Sequence, residues 1–180
     1  MPDDSKLETI PVGSLGIIAH KSIVPLGKKV DSYIVKWRKN RQNENKSSIV
    51  FHGYEKDSYL IDTDCPRFGS GEAKGIVNES VRGKDIYIML DVGNYSCTYT
   101  MAGQTQRMSP DDHYADLKRI ISAMTDKPRK LTVIMPFLYE SRQHKRGSRE
   151  SLDCALALQE LVRMGVAVSY THLTLPTIRL

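Results

Sequence analysis

The sequence predicts an α/β domain built on a parallel sheet, with helices that cross over between the strands. Two nearly continuous apolar runs, 85–90 and 131–136, are typical of strands buried on both faces. Helical periodicity follows each run, over 109–127 and 152–161, and this alternation of strand and helix indicates a parallel sheet. At 180 residues, 40% of them hydrophobic, the chain is long enough for one such core.

The first third of the chain has a less regular pattern. A helix is expected over about 28–39, where apolar side chains recur at helical spacing. The polar, charged segment 40–48 predicts a surface loop. The apolar runs 49–51 and 59–61 predict a pair of strands, and an alternating pattern begins at 72–77.

The segment 109–112, Ser-Pro-Asp-Asp, predicts a helix start. Serine is a good N-cap, proline suits the first helical position, and the acidic side chains face the positive end of the helix dipole. The preceding segment, 93–108, is polar and is expected to be a flexible connection. The first helix should end at 127–128, the second should stop at Gly165, and a further parallel strand should begin at 166–168.

The charge balance indicates a polyanionic partner without identifying it. The chain has 26 Lys and Arg against 21 Asp and Glu, a formal net charge of +5, and the excess is concentrated in 36–46 and 127–149. Nucleic acids and nucleotide triphosphates are both attracted by such clusters, although an ordinary solvated surface would look the same. A nucleic-acid-binding domain is disfavoured, because aromatic interleaving and a recognition motif are missing.

The cysteines and the N-terminus predict a cytoplasmic protein. Cys65, Cys97 and Cys154 are widely spaced and form no CxxC pair, so they predict reduced thiols rather than a disulfide framework or a zinc site. The N-terminus is acidic and lacks the apolar run of a signal peptide. No stretch approaches the roughly 20 apolar residues needed to span a membrane.

The loop over 139–150 is the best candidate for chemistry. It follows a buried strand directly, where ligands bind in open α/β sheets, and four cationic side chains fall between Arg142 and Arg149. Arginine can fork two phosphate oxygens, and Gln143 can read a base edge. A basic surface loop without a ligand remains the alternative. The glycine-rich turns 13–16 and 69–72 match no phosphate-binding signature.

The histidines do not predict a metal site. They are scattered along the chain and make no pair with ligand spacing. They are His20, His52, His113 and His144, and a fifth, His172, lies in the last thirteen residues.

Four segments, in order, resemble the N-terminal domain of the ribose-phosphate diphosphokinases, which make phosphoribosyl pyrophosphate. Residues 67–72 are similar to the family's Arg-Phe-Ser-Asp-Gly-Glu, and 78–88 to its Glu-Ser/Asn-Val-Arg-Gly-x-Asp strand entry. Residues 111–117 resemble the head of the intervening helix, and 133–143 resemble Val-Ile-Pro-Tyr-x-x-Tyr-Ala-Arg-Gln. The resemblance covers about 67–166 and, more loosely, 13–38.

The resemblance implies a fold, an activity and partners. The fold is a phosphoribosyltransferase-like α/β domain with a parallel sheet flanked by helices, here incomplete at the C-terminus. The full enzyme moves the pyrophosphoryl group of Mg²⁺-ATP onto ribose 5-phosphate, so ATP, ribose 5-phosphate, Mg²⁺ and a homo-oligomer are implied.

The resemblance also implies residue roles, all of them on the nucleotide side. Arg82 would serve an interface or a regulatory phosphate site. The residues carried over to ATP are Phe68, Ser70 and Glu72, which would border the adenine across a subunit interface, and Arg142 and Gln143, which would hold the nucleotide.

Departures from the family pattern indicate a divergent member. Ser70 stands where the family has Asp, 140–141 replaces Tyr-Ala, and His144 replaces Asp. The connections 40–65 and 93–108 are longer than usual. A regulatory homologue that binds nucleotide without turning it over therefore remains an alternative.

The last thirteen residues, 168–180, are expected to be non-native. The family continues with an Asp-Leu-His strand end whose His binds Mg²⁺, and then with the catalytic and ribose-phosphate loops. Instead, 168–177 resembles the translation of a transposon-end sequencing adapter, although a native strand and turn is the alternative. We therefore expect an incomplete domain over 1–167, no metal ligand at His172, and no activity from this chain alone.

Overall fold

The structure, a computed structural model, describes residues 13–44 and 56–171. A short 3-10 helix, Ser141–Gln143, lies between the strand Lys130–Met135 and the helix Asp153–Arg163. In chain order the elements are β1 (Leu15–Ala19), α1 (Val24–Glu44), β2 (Thr63–Asp64), β3 (Ile76–Val77), β4 (Asp85–Met89), β5 (Thr98–Met101), β6 (Gln104–Arg107), α2 (Pro110–Ala123), β7 (Lys130–Met135), α3 (Asp153–Arg163) and β8 (Val168–Thr171).

Four parallel strands form the main sheet, in the order β1-β4-β7-β8. Ile88 of the second strand is in register with Ile18 on one side and with Val133 on the other. The outer edge of β1 is covered as well, because the amide of Ile17 donates to the carbonyl of Tyr59 at 2.8 Å. The predicted α/β fold with a parallel sheet is confirmed.

The sheet packs on both faces, since neighbouring residues of a strand point to opposite sides. Ile17 of β1 belongs to the cluster beneath α1, whereas Ile18 belongs to the cluster beneath α2 and α3. The second cluster is the larger and includes the buried stripe of α2 at Leu117, Ile120 and Ile121. Helices therefore flank the sheet on both sides.

The N-terminal helix is longer than the sequence indicates. It spans Val24–Glu44 rather than 28–39, so it also occupies much of the segment expected to be a loop. Pro25 lies in the first turn, where its missing N–H costs no helical hydrogen bond. A Cβ at Gly27 would lie 2.4 Å from the Cβ of Ala19, so the helix packs closely on β1.

The flexible connection expected over 93–108 is a hairpin instead. Strands β5 and β6 pair antiparallel, with Met101 opposite Gln104. The two residues between them, Ala102 and Gly103, have φ values of 49° and 77°, the left-handed pair that a tight two-residue hairpin turn requires. Because both strands carry mostly polar residues, the hydrophobicity pattern does not predict the hairpin.

The two strands predicted near 49–61 have different outcomes. Residues 49–51 lie outside the described residues. Residues 59–61 run alongside β1 and form one parallel bridge, Ile17 with Leu60.

The last strand, β8, begins at Val168, where the foreign sequence is expected to start, and pairs with β7. Backbone pairing does not distinguish native from foreign residues, so that expectation stays a prediction.

The start of α2 follows the predicted signal. Ser109 is the N-cap and accepts a hydrogen bond from the amide of Asp112 at 3.1 Å. The carboxylate of Asp112 accepts in return from the amide of Ser109 at 2.9 Å, which completes a capping box. The cap fixes where the helix begins after the hairpin.

Replacement of the cap, Ser109→Ala, should lower the free energy of unfolding by about 1 kcal/mol, because one amide of the first turn loses its acceptor. Urea denaturation monitored by circular dichroism measures the change. Ser122→Ala is the matched control, because Ser122 is exposed and lies in the last turn of the same helix. It should change the free energy of unfolding little. Equal effects of the two substitutions would contradict the assigned cap.

None of the helices within 13–44 and 56–171 has the length and apolar character needed to cross a membrane.

Candidate functional site

The candidate phosphate loop begins at the carboxyl end of β7, as predicted. Its 3-10 helix carries Arg142, whose side chain is exposed and takes part in none of the ion pairs found among the described residues. Gln143 is half-buried, and its Nε2 donates to the carbonyl of Ser151 at 2.7 Å. Arg142 is therefore available to an anion, while Gln143 closes the loop.

An aromatic pair anchors the start of this loop. The ring of Tyr139 stacks on that of Tyr114, with centroids 4.2 Å apart and planes 8° from parallel. The Tyr139 hydroxyl donates to Asp111 at 2.7 Å, and the Tyr114 hydroxyl donates to the carbonyl of Ala157 at 2.7 Å. Burial, together with the nearby carboxylates, raises the pKa of both phenols, so both hydroxyls stay protonated as donors. The loop is thereby tied to α2 and α3.

The adenine-side candidates share one tight turn. The amide of Phe68 donates to the carbonyl of Glu72 at 2.7 Å, and Gly71 adopts a φ of 91°, which favours glycine. The Ser70 hydroxyl donates to the Glu72 carboxylate at 2.9 Å. Phe68 is 53% exposed despite its large ring. The turn therefore presents an aromatic face beside a carboxylate.

The predicted site residues thus fall into separate groups. No hydrogen bond or ion pair found among the described residues joins the turn at 68–72 to Arg142 or Gln143. Arg82 forms a third group, exposed just before β4 starts at Asp85. That position is the amino end of the strand, away from the carboxyl ends where the other loops begin.

A buried ionic cluster was not predicted from the sequence. The carboxylate of Asp116 in α2 is fully buried, and it receives Nη2 of Arg67 at 2.9 Å and Nη1 of Arg119 at 2.7 Å. Nε2 of His20 lies 3.6 Å away. Burial disfavours the charged carboxylate, but these neighbours outweigh it and hold the pKa of Asp116 below its usual value. In the sequence, the cluster is signalled only by the position of Asp116 next to the apolar stripe of α2.

Two of the scattered histidines meet beside this cluster. The rings of His20 and His113 lie edge to face, with centroids 5.5 Å apart. Nδ1 of His20 is 2.9 Å from the Ser22 hydroxyl, and Nε2 of His113 is 2.9 Å from the carbonyl of Asn94. Within the described ranges, no group of three or more His, Cys, Asp or Glu is arranged to hold a metal ion.

His113 should make stability depend on pH. Burial, chiefly, lowers its pKa, so the folded protein keeps this ring neutral to a lower pH than the unfolded chain does. Stability should therefore fall as pH drops below about 6.5, the ordinary histidine value. Urea denaturation at pH 7.5 and 5.5 measures this loss. In His113→Gln, whose amide can still donate to the carbonyl of Asn94, the loss of stability at pH 5.5 should be smaller. If the loss is unchanged, other titrating groups cause it.

The geometry defines an α/β domain with a parallel sheet and an exposed cationic loop at the carboxyl end of a central strand, the place where ligands bind in open α/β sheets. The sequence profile of the N-terminal domain of ribose phosphate pyrophosphokinase matches residues 15–165. The chain belongs to this family and corresponds to its N-terminal domain. The predicted resemblance is confirmed.

A solved structure shares the fold. The phosphoribosylpyrophosphate synthetase from Mycobacterium smegmatis superposes with a TM-score of 0.59 at 18% sequence identity, over 88% of this chain and 42% of the synthetase chain. The present chain thus spans less than half the length of that protein. No curated protein sequence matches the chain.

Proposed function

We propose that the intact protein is a ribose-phosphate diphosphokinase. It would transfer the pyrophosphoryl group of Mg²⁺-ATP to the anomeric hydroxyl of ribose 5-phosphate, giving phosphoribosyl pyrophosphate and AMP. The observation that carries the proposal is Arg142, an exposed guanidinium without an ion-pair partner among the described residues, at the family's nucleotide motif. Transfer at phosphorus depends mainly on positioning and on offsetting charge, and a forked cation does both.

The side chains of this domain would bind the nucleotide. Arg142 would fork two phosphate oxygens, and Gln143 would keep the loop closed through Ser151 while its amide oxygen stays available. Phe68 would cover one face of the adenine, since its exposed ring offers an apolar platform. Ser70 and Glu72 would accept from the adenine amino group.

A homo-oligomer would bring the separate groups together. Since the turn at 68–72 makes no described hydrogen bond with the loop that carries Arg142, each would complete the site of a neighbouring copy. Arg82, exposed at the amino end of β4, would serve an interface or a regulatory phosphate. We place the assembly in the cytoplasm.

Magnesium would accompany ATP and would offset phosphate charge. We assign no residue of this domain to the metal and none to ribose 5-phosphate.

An assay of the intact protein tests the proposal. Incubation with Mg²⁺-ATP and ribose 5-phosphate, followed by phosphorus NMR, should show AMP and phosphoribosyl pyrophosphate appearing in equal amounts. ADP and phosphate as the only products would indicate an ATPase instead and would exclude the proposed reaction.

A regulatory homologue is the second candidate, and the Ser70–Glu72 hydrogen bond favours it. Glu72 accepts from Ser70 within its own turn, where the family's Asp would offer a second charged acceptor. The assay distinguishes the two candidates, because a regulatory homologue would bind ATP without forming AMP.

A further inference from the structure

The β5–β6 hairpin lies on the turn that carries Phe68 and Glu72. At its tip, the amide of Ala102 donates to the carbonyl of Gly69 at 2.9 Å. This backbone bond joins the end of the hairpin to the middle of the turn, 33 positions earlier in the chain. This contact is made by backbone atoms, so it does not depend on which side chains stand at positions 69 and 102.

Side-chain packing makes a second contact at the same place. Gly71 has a φ of 91°, and a Cβ built on it would lie only 2.7 Å from Sδ of Met101. Met101 therefore occupies the space above this glycine. A larger residue at position 71 would be strained in its backbone and would also displace the methionine.

Arg67 makes the third contact, at the base of the turn. Its guanidinium carbon lies 4.8 Å from the centroid of the Tyr99 ring, a cation–π arrangement, while Nη2 pairs with Asp116 of α2. The Arg67 side chain is only 6% exposed. One buried arginine thus joins the hairpin, the turn and the helix beneath them.

Apart from these contacts, the turn is held by its own local hydrogen bonds. Two backbone bonds, from Phe68 to Glu72 and from Gly71 to Phe68, lie within it, and an antiparallel bridge between Arg67 and Ala73 closes its base. Phe68, Ser70 and Glu72 all project into solvent. A short exposed turn samples several conformations unless neighbours restrict it, and ordering it on binding weakens affinity.

We propose that the β5–β6 hairpin is a positioning element, with Tyr99 and Met101 holding the turn in one conformation before nucleotide binds. The consequence for ATP rests on the proposed function, whereas the rigidity of the turn does not. The hairpin lies in the connection 93–108, which the resemblance predicts to be longer than usual for the family.

Amide hydrogen exchange of the 180-residue chain, followed by NMR, tests the rigidity. Tyr99→Leu removes the ring beneath Arg67, and Met101→Ala removes the packing over Gly71. Each should speed exchange at the amides of Phe68 and Ala102 by about tenfold, which corresponds to an equilibrium constant for local opening that is about ten times larger. Exchange at Leu117, in the core of α2, should stay unchanged and show that the domain remains folded.

Tyr99→Phe is the matched control, because it keeps the ring and removes only the hydroxyl. Its exchange rates should equal those of the wild type. Unchanged exchange at Phe68 and Ala102 in both test variants would overturn the proposal, as would equal acceleration in Tyr99→Phe.

Measurements with Mg²⁺-ATP distinguish the positioning role of the hairpin from the proposed nucleotide function. In the intact protein, Tyr99→Leu should raise the KM for ATP by about threefold to tenfold with a smaller change in kcat, because preorganisation acts on binding. Faster exchange in a protein that binds no ATP would support the positioning role and reject the nucleotide function. ATP binding that is equally tight in the wild type and in both test variants would reject the role of the hairpin in binding.

Discussion

Replacement of Asp116 by alanine is expected to lower the free energy of unfolding by about 3–5 kcal/mol, the cost of breaking a buried ion pair by removing one partner. The substitution leaves Arg67, nearly buried, without its carboxylate, and Arg119 loses the same partner. The cluster joins α2 to the base of the turn at 68–72, so the loss should also loosen that turn. Urea denaturation measures the free energy, and amide exchange at Phe68 measures the local effect.

Two further variants make this test specific. Asp116→Asn keeps the shape but not the charge and should lose most of the same stability. Asp57→Asn removes the carboxylate of the exposed pair with Lys39 and should have no measurable effect, because water screens such pairs. A similar loss in Asp57→Asn and Asp116→Ala would show that burial is not what makes the cluster important.

Acid should act through the same carboxylate. The pKa of Asp116 is lowered in the folded protein, so its stabilising contribution is complete above the ordinary value of 3.8 and is lost as pH falls through the folded value. Asp116→Asn should therefore be less sensitive to acid in that range than the wild type.

Under the proposed function, replacement of Arg142 by alanine in the intact protein is expected to lower kcat/KM about 100-fold to 1000-fold, the usual cost of removing one preorganised donor to developing charge. Arg142→Lys should recover only part of the loss, because an ammonium group cannot fork two phosphate oxygens. The initial rate of AMP formation at varied ATP concentration gives the values.

Arg163→Ala is the control for net charge. Arg163 lies in the last turn of α3, is exposed, and has no assigned role at the site. This variant should keep the kcat/KM of the wild type. A change of less than about twofold in Arg142→Ala, which corresponds to under half a kcal/mol, would remove this residue from the proposed site.

The sequence predicts the elements whose side chains are divided clearly between core and water. Strands β4 and β7 are continuous apolar runs, and α2 combines a strong cap with a stripe of apolar residues, so all three are found close to their expected bounds. The hairpin lacks this contrast, because both of its strands are largely polar and exposed. Gly103, a residue type suited to the positive φ of a tight turn, is a weak local signal of the hairpin in the sequence.

The site is predictable only in part, since its groups are distant in the chain. Family motifs single out Phe68 and Arg142 as candidate site residues, but the exposure and the surroundings of their side chains depend on tertiary contacts. The ionic cluster brings together His20 from the turn after β1, Arg67 from the segment between β2 and β3, and Asp116 from α2, and no short-range pattern links them. Pairs of this kind become visible only when the fold places α2 beside the ends of the strands.

The stacked rings of Tyr114 and Tyr139 give the protein a built-in optical reporter. Two nearly parallel phenols 4.2 Å apart couple electronically, and their near-ultraviolet circular dichroism should change whenever the loop after β7 leaves α2. The single tryptophan, Trp37, lies on α1 and gives an independent fluorescence signal from the other face of the sheet. Movement of the cationic loop can thus be followed without a label and distinguished from unfolding.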